Sequence, residues 1–326
     1  MIEVKNLVKR YGDHLAVDGL SFTIEPGKIY GFLGPNGAGK STTMNVMTGY
    51  IASTEGEVLI NGHNILEEPE KAKKCIGYLP EQPPLYFDMT VMEYLKFAAE
   101  LKKIPKSDRK KMIEEVMDLV KITDVQDRLI KNLSKGYKQR VGLAQAVMGY
   151  PEVIILDEPT VGLDPKQIIE IRDLIKKLGD KHTVILSSHI LSEVSAVCDY
   201  VMIIAHGKLV ASDTTENLSK LTLGSNELEL TVKSTKEQAE KVLKTISGIE
   251  EMSFEKSEEE GAVDIKVKTS EKTDIREELF YKLAESKCPL LKLEFNRLSL
   301  EDIFLELTDD NSESVVEEEQ EDAGDL

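Results

Sequence analysis

A chain of 326 residues with a formal net charge of −18, 41% hydrophobic and 31% charged residues is a globular protein of about two domains, not a disordered one. Nine of the negative charges (Asp309, Asp310, Glu313, Glu317, Glu318, Glu319, Glu321, Asp322, Asp325) sit on the last 18 residues, leaving a mildly acidic −9 on residues 1–308. That balance excludes the bulk basic face of a nucleic-acid binder, and no stretch reaches the ~18 apolar residues of a membrane-spanning helix.

The first residues (Met1, Ile2, Glu3, Val4) lack the basic-then-apolar pattern of a secretory leader. Cys75, Cys198 and Cys288 lie far apart without metal spacing, which fits buried small hydrophobes in a reducing, cytosolic compartment. Apolar runs in residues 1–25, broken at Gly12-Asp13 and Gly19, predict an antiparallel β meander. Ile29–Leu33 predicts a strand running into the glycine-rich Gly34–Gly39, and Ser41–Thr48 a helix with Met44 and Met47 on its buried side. Val58–Ile60 and Asn61-Gly62 predict a further strand and turn.

Between Thr90 and Met148 the periodicity turns helical: Val91, Tyr94, Leu95 and Ala98 share one face, Met112, Val116 and Val120 another, with Pro105 and Thr123 between segments. From Val153 strands and helices alternate (Val153–Leu156, Gln167–Leu178, Thr183–Leu186, Ser192–Val197, Val201–Ile204), implying a largely parallel sheet with a helical insertion. The pattern breaks around Ser219–Ser225. Beyond it, Glu227–Val232, Lys236–Ile246, Glu250–Phe254, Ala262–Val267, Asp274–Ala284 and Leu290–Phe295 follow the β-α-β-β-α-β order of a small α+β ferredoxin-like domain. Leu300–Leu307 is amphipathic, and 309–326 is an acidic tail expected to be solvated and disordered. The expected division is therefore 1–220, 226–308 and 309–326, with a helical subdomain at about 85–150.

Gly34-Pro35-Asn36-Gly37-Ala38-Gly39-Lys40-Ser41, followed by Thr42, fills every fixed position of a phosphate-binding loop. Glycine lets successive backbone N–H groups curl around phosphate oxygens, and the helix that follows points its positive end at the same place. The bland alternative is a glycine-rich turn. Lys40 would reach the β- and γ-phosphates and Ser41 would bind Mg²⁺. Val153-Ile154-Ile155-Leu156-Asp157-Glu158 is an apolar, doubly covered strand ending in two acids. Asp157 would hold the metal shell and Glu158 would polarise the attacking water. Alone such a strand means little; after a phosphate loop in the same sheet it carries chemistry. In Leu133-Ser134-Lys135-Gly136-Tyr137-Lys138-Gln139-Arg140, Ser134 can cap a helix whose N-terminus is a second anion site, with Gly136 allowing close backbone approach.

Over about residues 1–220 the chain resembles the ATP-binding-cassette (ABC) ATPases, an α/β P-loop fold with an antiparallel β subdomain and a helical subdomain. Gly34–Ser41 looks like their Walker A, Val153–Glu158 like Walker B, and Leu133–Tyr137 like the LSGGQ signature, departing from it at Lys135 and Tyr137. Gln82 resembles the Q-loop glutamine that senses Mg²⁺ and the membrane partner; Gly162-Leu163-Asp164-Pro165 resembles the D-loop. His189 resembles the switch histidine at the γ-phosphate, and Tyr11 the aromatic that stacks on adenine. His14, His63, His182 and His206 have no such context and read as surface residues.

The resemblance implies ATP and Mg²⁺ as ligands and a head-to-tail dimer, of two copies or of this chain with a paralogue. Each ATP would lie on one chain's Gly34–Ser41 and under the other's Ser134. It also implies an integral membrane permease as partner and a place on the cytoplasmic face of the plasma membrane. Residues 226–308 look like the C-terminal extension of the type-two exporter group, which includes sodium, antibiotic and gliding-associated systems. A competing reading is a soluble ABC protein of translation, repair or assembly. Translation-type members carry two cassettes where this chain has one phosphate loop, and repair types carry coiled-coil or zinc insertions that this chain lacks. A degenerate regulatory cassette is a third reading, opposed by the filled Lys40, Asp157, Glu158 and His189 positions.

Overall fold

In the computed structural model, which describes residues 1–215, 217, 226–269 and 274–296, the chain divides into two units, Met1–Thr215 and Glu216–Glu306. The expected break at Ser219–Ser225, the amphipathic Leu300–Leu307 and the tail 309–326 lie outside the described residues.

The first unit opens with β1 (Ile2–Tyr11), β2 (His14–Ile24), β3 (Ile29–Leu33), α1 (Lys40–Met47), β4 (Glu55–Ile60), β5 (His63–Asn64), α2 (Pro69–Lys74) and β6 (Ile76–Leu79). It continues through α3 (Val91–Leu101), α4 (Lys106–Val120), α5 (Lys135–Val147), β7 (Val153–Leu156), α6 (Pro165–Gly179), β8 (Thr183–Ser188), α7 (Leu191–Val197), β9 (Tyr200–Ala205) and β10 (Lys208–Thr214). One sheet, ordered β2-β1-β4-β5, is antiparallel. The other, ordered β10-β9-β3-β8-β7-β6, is parallel except for β10. Strands β3, β7 and β8 are buried along their whole length, which is why β3, β7 and the Val184–Leu186 stretch of β8 read as apolar runs and not as alternating ones. Side chains from both sheets meet in one core around Phe32, Met44 and Met47, with Phe22 set edge-on to Phe32 at 5.2 Å.

Strand β6 has no counterpart among the expected elements. It is four residues long with Gly77 inside it, and a Cβ there would stand 2.1 Å from the Ala146 carbonyl oxygen of α5. The strand exists because it pairs with β7, a contact no local pattern reveals. Helix α3 starts at a capping box in which Thr90 and Glu93 bond each other's backbone, and it buries Val91, Tyr94, Leu95 and Ala98 as expected. Helix α4 buries Ile113, Val116, Met117 and Val120, leaving Met112 half-buried at the edge of the stripe. Among the described residues no helix is long and apolar enough to cross a membrane.

Two expectations are corrected. His182 is buried, not at the surface: its Nδ1 lies 2.6 Å from the Pro151 carbonyl oxygen and its ring stacks on Tyr150. Cys75 is half-buried, whereas Cys198 and Cys288 are buried as small hydrophobes. His14 and His206 are exposed, and His63 is half-buried with Nδ1 2.9 Å from Glu68.

The second unit comprises β11 (Asn226–Val232), α8 (Lys236–Leu243), β12 (Ile249–Lys256), β13 (Val263–Thr269), α9 (Arg276–Glu285) and β14 (Leu290–Asn296). Its antiparallel sheet is ordered β12-β13-β11-β14, the split βαβ topology. Alternation in β13 sends Val263, Ile265 and Val267 into a core shared with Ala239 and Leu243 of α8 and Leu279 and Leu283 of α9.

Candidate functional site

Four carboxyl-terminal ends of the parallel sheet converge on the glycine-rich loop, the usual place for a ligand in an open α/β sheet. After β3 the chain turns through Gly34–Gly39 into α1. Gly39 caps that helix at φ +100°, and a Cβ there would lie 2.5 Å from the Ala16 carbonyl oxygen. Gly34 is held as closely, since its Cβ would meet the Ile204 carbonyl oxygen at 2.3 Å. The loop thus presents bare backbone and the positive end of α1 to a cleft of about 380 Å³, within the ~300–1,000 Å³ of small-molecule sites. Asn36, Gly37, Gly39, Lys40, Ser41, Thr42, Glu158, His189 and Tyr11 line it; Gly34, Pro35 and Ala38 shape the loop without lining it.

Lys40 is buried, and its ammonium donates to the carbonyl oxygens of Gly34 (2.7 Å) and Pro35 (3.1 Å) and lies 3.8 Å from Glu158. Burial pushes its pKa down, against the opposing pull of Glu158 and Asp157. Ser41 Oγ donates to Asp157 Oδ1 at 3.2 Å, so a hydroxyl and a carboxylate stand side by side at the head of α1. Two hard oxygens suit a magnesium ion that draws its remaining ligands from phosphate and water. Among the described residues no group of three or more His, Cys, Asp or Glu side chains forms a metal cage of its own. Glu158 adopts φ +46°, a strained value for a non-glycine residue. Its carboxylate meets His189 Nδ1 at 3.0 and 3.1 Å, and its backbone N–H donates to Ser187 Oγ at 2.9 Å. Ser187 in turn donates to Asp157.

Not every expected residue joins the cleft. Gln82 is exposed and does not line it; its neighbour Glu81 does. Ser134 is exposed and caps α5, accepting from the Tyr137 N–H at 3.4 Å. Asp164 caps α6, accepting from the Gln167 N–H at 2.9 Å. Gly136 packs under Gln167, where a Cβ would fall 2.6 Å from its side-chain oxygen, so these two helix starts are neighbours apart from the cleft. Sequence reasoning missed Glu81, His14, Ala16 and Val161 in the lining and Ser187 beneath it. His14 pairs with Tyr11 across the β1–β2 turn, and that pairing was its only signal.

With this geometry, a family profile described as "ABC transporter" matches residues 17–161. The linearmycin resistance ATP-binding protein LnrL of Bacillus subtilis is 33% identical over 309 residues, 94% of this chain and 98% of its own length. This chain belongs to the ABC transporter ATP-binding proteins. The bacitracin transport ATP-binding protein BcrA of Bacillus licheniformis is 40% identical over 222 residues, covering 68% of this chain and 72% of BcrA. Among solved structures, the dimeric ATP-binding cassette MJ0796 bound to ADP and Pi superposes with a TM-score of 0.60 at 26% identity, over 66% of this chain and 99% of that one. The chain is an ATP-binding subunit of a transporter and hydrolyses ATP, which sets aside the translation, repair and regulatory readings.

Proposed function

We propose that this chain drives export through a separate membrane permease, closing on ATP as a head-to-tail dimer at the cytoplasmic face of the plasma membrane. The observation that carries the residue roles is the contact of Glu158 with both His189 and Lys40 at the phosphate loop. Backbone N–H groups of residues 36–41 and Lys40 hold the β- and γ-phosphates. Glu158 takes a proton from the attacking water as the water oxygen bonds the γ-phosphorus and the β–γ bond breaks to release ADP, and His189 orients Glu158 and contacts the γ-phosphate. Ser41 and Asp157 would hold Mg²⁺, which would neutralise charge on the phosphate oxygens. Tyr11, half exposed on the rim, stacks on the base.

Ser134 and Asp164 are exposed at helix starts apart from their own chain's cleft, with Gly136 buried beside them, which supports this edge acting on the partner's nucleotide. Neither half-site then encloses the γ-phosphate alone, so ATP completes the interface and hydrolysis reopens it. Export is supported by relatives named for linearmycin resistance and bacitracin transport. Light scattering on Glu158→Gln with Mg-ATP is expected to show a stable dimer, with wild-type protein returning to monomer as ATP is consumed. An ATP-loaded Glu158→Gln chain that stays monomeric would remove the dimer mechanism, and co-purification with a polytopic membrane protein tests the permease.

A further inference from the structure

Glu158 and His189 stand on separate loops, after β7 and after β8, so their spacing depends on what ties those loops together. One tie is the Asp157–Ser187 bridge beneath the cleft. A second lies outside the cleft and uses Glu193, in the first turn of α7, which is only 7% exposed. Its Oε2 accepts from Thr160 Oγ1 at 2.5 Å and from Ser188 Oγ at 3.2 Å, while its Oε1 lies 4.0 Å from the Arg172 guanidinium of α6. Thr160 comes two residues after Glu158, and Ser188 comes immediately before His189. Ser188 Oγ also accepts from the Ile190 N–H at 3.0 Å, so this one hydroxyl brackets His189 on both sides.

A buried carboxylate is costly unless its oxygens are partnered, and here two hydroxyl protons serve Oε2 while the Arg172 guanidinium faces Oε1. Accepting both protons fixes both rotors: Thr160 and Ser188 must donate toward Glu193, which leaves a Ser188 lone pair for Ile190. We propose that Glu193 is a positioning residue that clamps loop 158–160 to loop 188–190 and so holds the Glu158 carboxylate against His189. This rests on the reading of Glu158 and His189 as the hydrolytic pair. The clamp acts on the alignment of the water-activating group and leaves the phosphate loop untouched, so it bears on turnover and not on ATP affinity.

Steady-state ATPase kinetics of the full chain, with melting curves to confirm folding, test it. Glu193→Ala is expected to lower kcat by roughly 10- to 100-fold, the scale of a misaligned reacting group, with KM for ATP unchanged within about twofold. Glu193→Gln keeps an oxygen for both hydroxyls and is expected to recover most of kcat. Thr160→Val and Ser188→Ala should each lower kcat, and Thr160→Val should add little on top of Glu193→Ala, since both break one clamp. Unchanged kcat in Glu193→Ala, a parallel loss of ATP affinity, additive losses in the double variant, or Glu193→Gln as impaired as alanine would each overturn the clamp. If Glu193→Ala does not fold, the Glu193→Gln, Thr160→Val and Ser188→Ala series decides by the same criteria. Glu158→Gln run alongside separates the two readings: full turnover there removes the hydrolytic pair itself, whereas a dead Glu158→Gln beside a fully active Glu193→Ala removes the clamp alone.

Discussion

Glu158 and His189, 31 positions apart in sequence, stand 3.0 Å apart because the parallel strands that carry them, β7 and β8, are direct neighbours. The carboxylate is buried and its backbone strained at φ +46°, while the imidazole is partly open to the cleft. A strained, buried acid oriented by one histidine suits proton abstraction from water. Glu158→Gln should therefore lower kcat by about 10²–10⁴-fold, the range of general-base catalysis, while ATP binding persists. Single-turnover hydrolysis measured against nucleotide titration checks this, with His189→Ala expected to lower kcat in the same direction.

Lys40 should govern binding where Glu158 governs turnover. Its ammonium is desolvated, held by the carbonyl oxygens of Gly34 and Pro35 and placed at the loop that receives phosphate. Lys40→Ala removes a buried cation from an anion site, a change worth about 2–5 kcal/mol for buried charge pairs, and should weaken ATP affinity by at least ~30-fold. Calorimetric titration with ATP measures it. Gly39→Ala should be no milder, because the new Cβ would meet the Ala16 carbonyl oxygen at 2.5 Å in a backbone conformation that alanine resists.

Metal dependence follows from the Ser41–Asp157 pair, 3.2 Å apart at the head of α1. Two protein oxygens are too few to hold Mg²⁺ firmly without phosphate. Chelation with EDTA should stop hydrolysis yet leave residual ATP binding. Asp157→Asn should raise the Mg²⁺ concentration at half-maximal rate, read from ATPase activity across a magnesium titration; an unchanged midpoint would take Asp157 out of the metal shell.

The phosphate loop was legible in the sequence because bare backbone, a cation and a hydroxyl are needed at fixed spacing, and local spacing is what a sequence displays. Asp157 and Glu158 were legible for a similar reason, since a strand covered on both faces must be apolar up to its exit. Ser187, Thr160 and Glu193 were not, because their partners lie 29 to 33 residues away and meet only when β8 pairs with β7. Between Glu81 and Gln82 the sequence could not say which side chain lines the cleft, because they follow β6 in a loop without periodicity. His182 was misplaced because its burial comes from the Pro151 carbonyl and the Tyr150 ring, tertiary neighbours with no local mark.

Lys102 predicts a pH dependence of stability. At the end of α3 its ammonium donates to the carbonyl oxygens of Ala146 (3.1 Å) and Met148 (2.7 Å), the free acceptors at the end of the signature helix α5. Burial pushes its pKa down to about 8, well below the ~10.4 of a lysine in water. Between those two values the unfolded chain binds more protons at this side chain than the folded chain does, so the contribution of Lys102 to stability rises with pH across that window and levels off above it. The neutral amine still donates to both carbonyls, so deprotonation relieves the desolvation without breaking the cap. Melting temperatures of the wild type and of Lys102→Met, compared from pH 7 to 10, should show the wild type gaining on the variant as pH rises from about 8. A flat difference would mean that burial does not shift Lys102 at all, and a shrinking one that the fold prefers the ammonium; either outcome overturns the prediction.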